Sequence, residues 1–364
     1  MPSPFAVAGD LVEVAPGVGF LATWANVTAL KTDEGLVLID TGSAQVASHV
    51  GTQLRRYSDA RVDTVVYTHG HLDHVTGIGA LEADAAARGF EAPRVVGHVG
   101  IAARFDRYRA TAGYNEVINR RQFGLEELRW PRHYRYPDLT YTATLELDLA
   151  GRRLELHHAL GETDDATWVY DPAQRVLCTG DLFIWVAPNA GNPQKVQRYP
   201  AEWAAALREM ARLDAKVLLP GHGLPILGRD RVRLALSETA ELLESLVEQT
   251  MALLNAGARL DEAIHTVAIP PHLAERPYLQ CLYDEPEFIV HNLWRRYGGW
   301  WDGNPATLKP APEQALGAEL AELAGGTAAL CERARTLLAS GDEVEGRAAA
   351  DFYASLDRRH RQFL

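Results

Sequence analysis

Residues 69 to 74 read His69-Gly70-His71-Leu72-Asp73-His74, directly behind the apolar run Val65-Val66-Tyr67-Thr68. Three imidazoles and a carboxylate within six residues cannot all lie on one face of a helix or strand, whose side chains repeat every 3.6 or 2 positions. The segment therefore reads as a tight loop converging on a point. A histidine-rich surface loop is the bland alternative; a metal site is the simpler one. Neutral imidazole and carboxylate suit zinc and its borderline neighbours, and two ions would use all four groups.

Working outward, four other segments share this grammar, an apolar run that ends in one ligand-capable residue at a glycine turn. They are Leu36-Val37-Leu38-Ile39-Asp40-Thr41-Gly42, Leu160-Gly161-Glu162-Thr163, Val176-Leu177-Cys178-Thr179-Gly180-Asp181 and Val217-Leu218-Leu219-Pro220-Gly221-His222-Gly223. Short unbroken apolar runs read as buried strands, and ligands at their ends share one rim of a sheet. Glycine lets backbone crowd such a rim.

In its HxHxDH loop, TGD strand end and GHG turn, residues 20 to 225 resemble the metallo-β-lactamase superfamily. The resemblance implies an α/β fold, the two-sheet αββα sandwich, over residues 1 to about 235, with helices on the outer faces and the site at one edge. It implies that His69 and His71 bind a first metal, Asp73 and His74 a second, that Asp181 bridges them and that His222 completes the second site. Asp73 and Asp181 would be the catalytic carboxylates. Most of the superfamily completes the first site with another histidine after a Pro-Gly turn; here Glu162 stands in that place. Of the acids and imidazoles nearby, Asp164, Asp165, His157 and His158 are the alternatives to it. Four neutral imidazoles and three carboxylates around two divalent ions leave a single positive charge, which a bridging hydroxide cancels. The extra anionic oxygen weakens the Lewis acidity of the pair and draws the site toward harder ions. Zinc is the first expectation, manganese or iron the next, and an anionic substrate should need help from nearby Arg or Lys.

A second resemblance picks out a branch. Leu282-Tyr283-Asp284-Glu285-Pro286-Glu287-Phe288-Ile289-Val290, continuing from Asn292 through Trp300-Trp301 to Pro305, looks like the dimerisation region of alkyl sulfatases, as does the glutamate in the third ligand position. Asn189, Lys195 and Arg198 lie where that family sets an asparagine and an arginine against the sulfate; Arg121 is a further candidate. The alternative for Lys195 and Arg198 is pairing with acidic neighbours on an exposed loop. Two features depart from the better-known alkyl sulfatases. They carry glutamate where this chain has Asp181, and they continue into a sterol-carrier-like domain that this sequence lacks, which suggests a short relative whose substrate need not be a long-chain detergent.

Composition bounds the rest. The 364 residues, 47% hydrophobic and 23% charged, suit one large domain plus a smaller one rather than disorder. A net charge of -12 argues against a nucleic-acid partner. Cys178, Cys281 and Cys331 are widely spaced in apolar contexts, as reduced core thiols would be. The first ten residues have no basic and apolar leader pattern, and no later run is long enough to span a membrane. The expectation is a cytoplasmic protein without a membrane partner.

The stretch from 101 to 140, rich in aromatics and arginine, reads either as a lid over the pocket or as a helical hairpin packed on the core. From Leu236 through Leu242, Leu243, Leu246, Val247, Met251 and Leu254 apolar residues recur at helical spacing, and Asn255-Ala256-Gly257 stops the run. Residues 236 to 364 are therefore expected to form a smaller, all-α dimerisation domain, with Trp300-Trp301 packed against a partner subunit in a homodimer. The tail around Arg358, Arg359, His360 and Arg361 should be a solvated helix end. Two chemistries follow: a binuclear hydrolase using metal-bound hydroxide on an alkyl sulfate or related small anionic ester, or an iron- or manganese-dependent redox enzyme. Lactones, β-lactams and thioesters are the other substrate classes for the hydrolase.

Overall fold

The computed structural model describes residues 9 to 340; the expected tail from 341 onward and the first eight residues lie outside them. The first seven strands form one sheet in chain order: β1 (Val12–Ala15), β2 (Val18–Leu21), β3 (Val27–Lys31), β4 (Leu36–Ile39), β5 (Val62–Val66), β6 (Arg94–His98) and β7 (Leu139–Tyr141). Pairing is antiparallel from β1 to β4 and parallel from β4 to β7. The second sheet holds β8 (Thr144–Leu149), β9 (Arg152–Ala159), β10 (Ala166–Asp171), β11 (Val176–Ile184), β12 (Val217–His222) and β13 (Ile226–Leu227), in the order β13-β12-β11-β10-β9-β8. Only β11 and β12 pair in parallel there.

Strand alternation makes the layers. In β4, Val37 and Ile39 point into the cluster between the sheets, where they meet Leu154, Leu156, Val176 and Val217 of the second sheet. Leu36 and Leu38 point the other way, onto α1 (Ala47–Tyr57), α3 (Ile78–Ala87) and α4 (Gly100–Ala110), through Val50, Leu54, Leu81, Ile101 and Phe105. A one-turn helix, α2 (Leu72–Val75), precedes α3, and α5 (Ala112–Phe123) follows α4. Each such side chain withdrawn from water stabilises the fold by roughly 1.5 to 3 kcal/mol. Two strand faces covered on both sides, with helices outside, are the αββα sandwich expected from the sequence.

The outer face of the second sheet is covered by α6 (Pro200–Ala211), α7 (Arg229–Asn255), α8 (Leu260–Thr266) and α10 (Pro286–Tyr297), with α9 (Pro271–Ala274) between the last two. Trp168, Leu182, Trp203, Leu243, Leu246, Leu293 and Trp294 share this one buried cluster. The boundary expected at residue 235 thus falls inside α7, whose first turns already pack on the sheet, and the first compact unit runs to Trp300. α4 is equally part of the core, through Ile101, Phe105 and Tyr108, so this half of the 101–140 stretch is a packed helix and not a lid. Among the described residues no helix is long and apolar enough to cross a membrane.

The second unit begins at Trp301. Within it α11 (Pro305–Leu308), α12 (Glu313–Leu323) and α13 (Thr327–Ala339) follow one another. Asn304 caps α11 by accepting from the Ala306 N–H. Leu330, Ala334 and Leu337, spaced by four and three, form the buried stripe of α13.

Candidate metal centre

The site gathers where strands end. β5 delivers His69 and His71; the chain then turns directly into α2, so Asp73 and His74 stand on a short helix rather than in the continuous loop expected. Glu162 lies in the turn from β9 to β10, Asp181 lies within β11, and His222 closes β12. Two glycines make the convergence possible. Gly180 takes a positive φ of 50° with Thr68 against its Cα, and a β-carbon on Gly221 would collide with Asp181 Oδ1.

Ligand-capable atoms fall into two groups, each within 4.8 Å: His69, His71, Glu162 and Asp181, and then Asp73, His74 and His222. Asp181 stands between them. Its Oδ2 is 3.5 Å from His69 Nε2 and 3.4 Å from His222 Nε2, and its Oδ1 is 3.2 Å from His74 Nε2. His71 Nδ1 is 3.7 Å from Glu162 Oε2, and Asp73 Oδ2 is 3.6 Å from His222 Nε2. His74 Nε2, Glu162 Oε2 and Asp181 Oδ1 are buried and make no hydrogen bond. Leaving such atoms unsatisfied is costly, and a cation among them removes the cost. The donor set and its orphaned atoms therefore fit divalent metal ions, and the chain supplies ligands for them.

The far sides of the rings are held as metal ligands require. Asp40 Oδ2 takes the Nδ1 proton of His74 at 2.7 Å, and the Trp24 carbonyl accepts from Nδ1 of His222. Both contacts fix a proton on Nδ1, so that Nε2 faces the centre and is the atom a metal would take. Thr68 Oγ1 is 3.0 Å from His69 Nδ1. Asp40 holds its own angle, φ 61°, by also accepting from the Thr68 N–H and hydroxyl.

Electrostatics follow from burial and from Asp181. Burial, aided by the charge on His74, pushes His69 down to about 4, and burial lowers His71 as well, so both rings are neutral, the form a metal takes. Burial works against charge on His74, yet Asp181 and Asp40 hold its pKa well above the ordinary value. Asp181 is buried too, but the surrounding imidazoles keep it ionised. Burial raises Glu162 to about 8 in spite of Arg198. So dense a carboxylate group favours positive charge at its centre.

Around Glu162 lie the residues expected to hold an anion. Asn189 Nδ2 donates to Glu162 Oε1; the Arg198 guanidinium, 2% exposed, donates to the Glu162 main-chain oxygen and sits 3.3 Å from Oε1. Arg198 is thus no exposed-loop arginine. Lys195 Nζ donates to Asn119 Oδ1 at 3.1 Å, and burial with Arg198 nearby lowers its pKa to about 8. Arg121 is exposed on the last turn of α5. The other nearby acids serve different ends: Asp165 pairs with buried Arg104 at 2.8 Å and accepts from the Gly70 N–H, and Asp164 also pairs with Arg104. His157 stacks on Trp168 and His158 on His98. Sequence reading missed Thr68, the Trp24 carbonyl and the Arg104–Asp165 pair. Of these only Thr68 left a local signal, its place beside His69.

Fold and ligand geometry together define a class, and comparison with known proteins bears it out. A model of the metallo-beta-lactamase superfamily matches residues 25–222, and the chain belongs to that superfamily. A second model, alkyl sulfatase dimerisation, matches residues 259–357. More particularly, the chain is 28% identical over 335 residues to a linear primary-alkylsulfatase of Pseudomonas sp., covering 86% of this chain and 62% of that protein. It is 28% identical over 346 residues to an (R)-specific secondary-alkylsulfatase of Pseudomonas sp., covering 87% and 52%. Among solved structures, a stereoselective inverting sec-alkylsulfatase, Pisa1 from Pseudomonas sp., superposes with a TM-score of 0.81 at 26% identity, over 95% of this chain and 59% of that one. The chain therefore spans between about half and three fifths of the length of these relatives.

Proposed function

We propose that this protein is a binuclear, zinc-dependent hydrolase of alkyl sulfates or closely related anionic esters. The observation that carries the reading is the pairing of two adjoining candidate ligand groups with buried Asn189 and Arg198 and half-buried Lys195, on the side of Glu162. His69, His71 and Glu162 would hold one ion and Asp73, His74 and His222 the other, with Asp181 shared. Divalent ions there supply Lewis acidity and lower the pKa of water. The chain's own groups do the rest. Asp73, whose side chain is 28% exposed, is the carboxylate of the set most open to solvent and can orient an incoming water and accept its proton. Lys195 and the edge of Arg198 offset the charge of a tetrahedral anion, because Glu162 leaves the metal pair with less positive charge than a fifth histidine would.

The alkylsulfatase relatives support the sulfate ester as substrate. The match to a dimerisation model, together with exposed Trp300 and Trp301, supports a homodimer; three free cysteines support a reducing, cytoplasmic setting. Cys281, expected in a core, is exposed and suits that setting. The test is metal analysis of the isolated protein followed by a substrate panel on the same preparation. Two zinc equivalents and turnover of an alkyl sulfate above phosphate ester, lactone and β-lactam are expected. Oxygen consumption with iron or manganese bound and no ester turnover would sink the hydrolase reading.

A further inference from the structure

The segment 189–198 reaches Glu162 from both its ends, through Asn189 and Arg198. It belongs to no helix or strand, and its own backbone bonds are local ones, Ala190 N–H to Pro188 O and Lys195 N–H to Asn192 O. What fixes it lies 93 and 94 residues further along the chain, in and just before α10. Asp284, fully buried, accepts the Gly191 N–H at 2.5 Å. Asn292, also buried, clamps Arg198 at two points: its Oδ1 accepts the Arg198 N–H at 3.1 Å and its Nδ2 donates to the Arg198 carbonyl at 3.0 Å. The same Oδ1 takes a bond from Gln197 Nε2 at 3.0 Å. A β-carbon on Gly191 would run into the backbone of Phe288 and Ile289, so helix and segment are already in contact.

A carboxamide is the one short side chain that pairs with both backbone groups of a residue, as a neighbouring strand would. Asn292 gives Arg198 the ladder partner that an irregular segment lacks. Arg198 in turn grips Glu162 at its carbonyl and its carboxylate.

We infer that Asn292 is a positioning residue for the metal-binding carboxylate: acting through Arg198, it holds Glu162 in place, and α10 thereby sets the affinity of the site built from His69, His71, Glu162 and Asp181. The inference rests on the metal-dependent reading above. It gives the region matched by the dimerisation model a role inside its own chain's site.

The test is zinc titration of full-length Asn292→Ala against a chromophoric chelator, with kcat and KM for an alkyl sulfate measured beside it. The affinity of the Glu162 site should fall by about tenfold, the lower end of what removing a ligand's own partner costs, since Asn292 acts one residue further out. The affinity of the Asp73, His74 and His222 site should hold within about twofold, and kcat/KM should fall with the first site. Leu293→Ala, a fully buried core change on the same helix, should lower the melting temperature while leaving the ratio of the two affinities intact. Asn292→Ser keeps a small polar group and serves where the alanine variant does not fold; it should move the same affinity in the same direction. Unchanged affinities, or equal losses at both sites, would overturn the inference while the metal reading stands. A parent protein that binds fewer than two zinc ions would sink that reading first, and this inference with it.

Discussion

At the residue scale the centre depends on groups that never touch a metal ligand's reactive atom. Arg104 and Asp165 show it best: both are buried, they pair at 2.8 Å, and Asp165 also fixes the Gly70 N–H between His69 and His71. Burial alone would raise the Asp165 pKa, but Arg104 holds it at about 2. Because the folded value lies below the unfolded one near 3.9, the stabilisation is complete above about pH 4 and is lost as pH falls toward 2. Arg104→Ala should cost roughly 3 to 5 kcal/mol at pH 7, since it strands a buried carboxylate. In urea unfolding that deficit should shrink as pH falls, because without Arg104 burial raises the Asp165 carboxyl above its unfolded value and it takes up a proton before the parent's does. A loss under about 1 kcal/mol at neutral pH would show the pair to be dispensable. The seven candidate ligands could be picked out because each ends or follows an apolar run, and the fold brings them together. The Arg104–Asp165 pair was not, since 61 residues separate its members and an arginine in an aromatic-rich stretch looks like a surface charge.

At the scale of elements, strand order explains why the ligands meet. β11 and β12 run parallel, side by side, and bring Asp181 and His222 to one rim. The approach is close enough that Gly221 is needed for lack of a side chain: a β-carbon there would strike Asp181 Oδ1 and the Gly180 backbone. Gly221→Ala should therefore lower stability by about 1 to 3 kcal/mol, as overpacking does, and should reduce bound metal by displacing Asp181. Thermal unfolding and metal analysis of the variant check both halves; full metal content would mean that the strands yield without moving the carboxylate. The apolar runs predicted these strands well, and the periodicity of α7 marked its length to Asn255. Its start at Arg229 was harder to see, because the first turn, Arg229-Asp230-Arg231, is charged. The cross-sheet strap was invisible: Arg152 of β9 pairs with Asp171 on β10 and donates to the carbonyls of Lys31 on β3 and of Gly17 in the turn between β1 and β2. Nothing near Arg152 in the sequence points to partners 121 and 135 residues away.

For the whole molecule, the remaining issue is what covers the end of α10 and the residues after it. Trp300 is 69% exposed and Trp301 40%, and Leu316, Leu323 and Leu338 are exposed as well. Tryptophan is among the side chains that most often anchor interfaces, so an exposed tryptophan at the end of the first unit and another at the start of the second favour association. The sequence marked this region through its paired tryptophans, but a partner's surface is not written in one chain's pattern. A stable homodimer should bury on the order of 1,200 Å² or more in total. Each chain carries a net charge of -12, so two copies repel one another, and added salt should screen that repulsion. Sedimentation equilibrium should accordingly find a dimer whose dissociation constant falls as salt is raised, the reverse of an interface held by opposite charges. Replacing Trp300 and Trp301 together by alanine should weaken it by at least about 2 kcal/mol, or roughly thirtyfold in dissociation constant, if they are central anchors. Circular dichroism must show the double variant folded, since both side chains are exposed and their loss should leave the interior intact. A parent protein that stays monomeric at every concentration would end the dimer proposal; a double variant that dimerises as tightly as its parent would move the interface off the tryptophans.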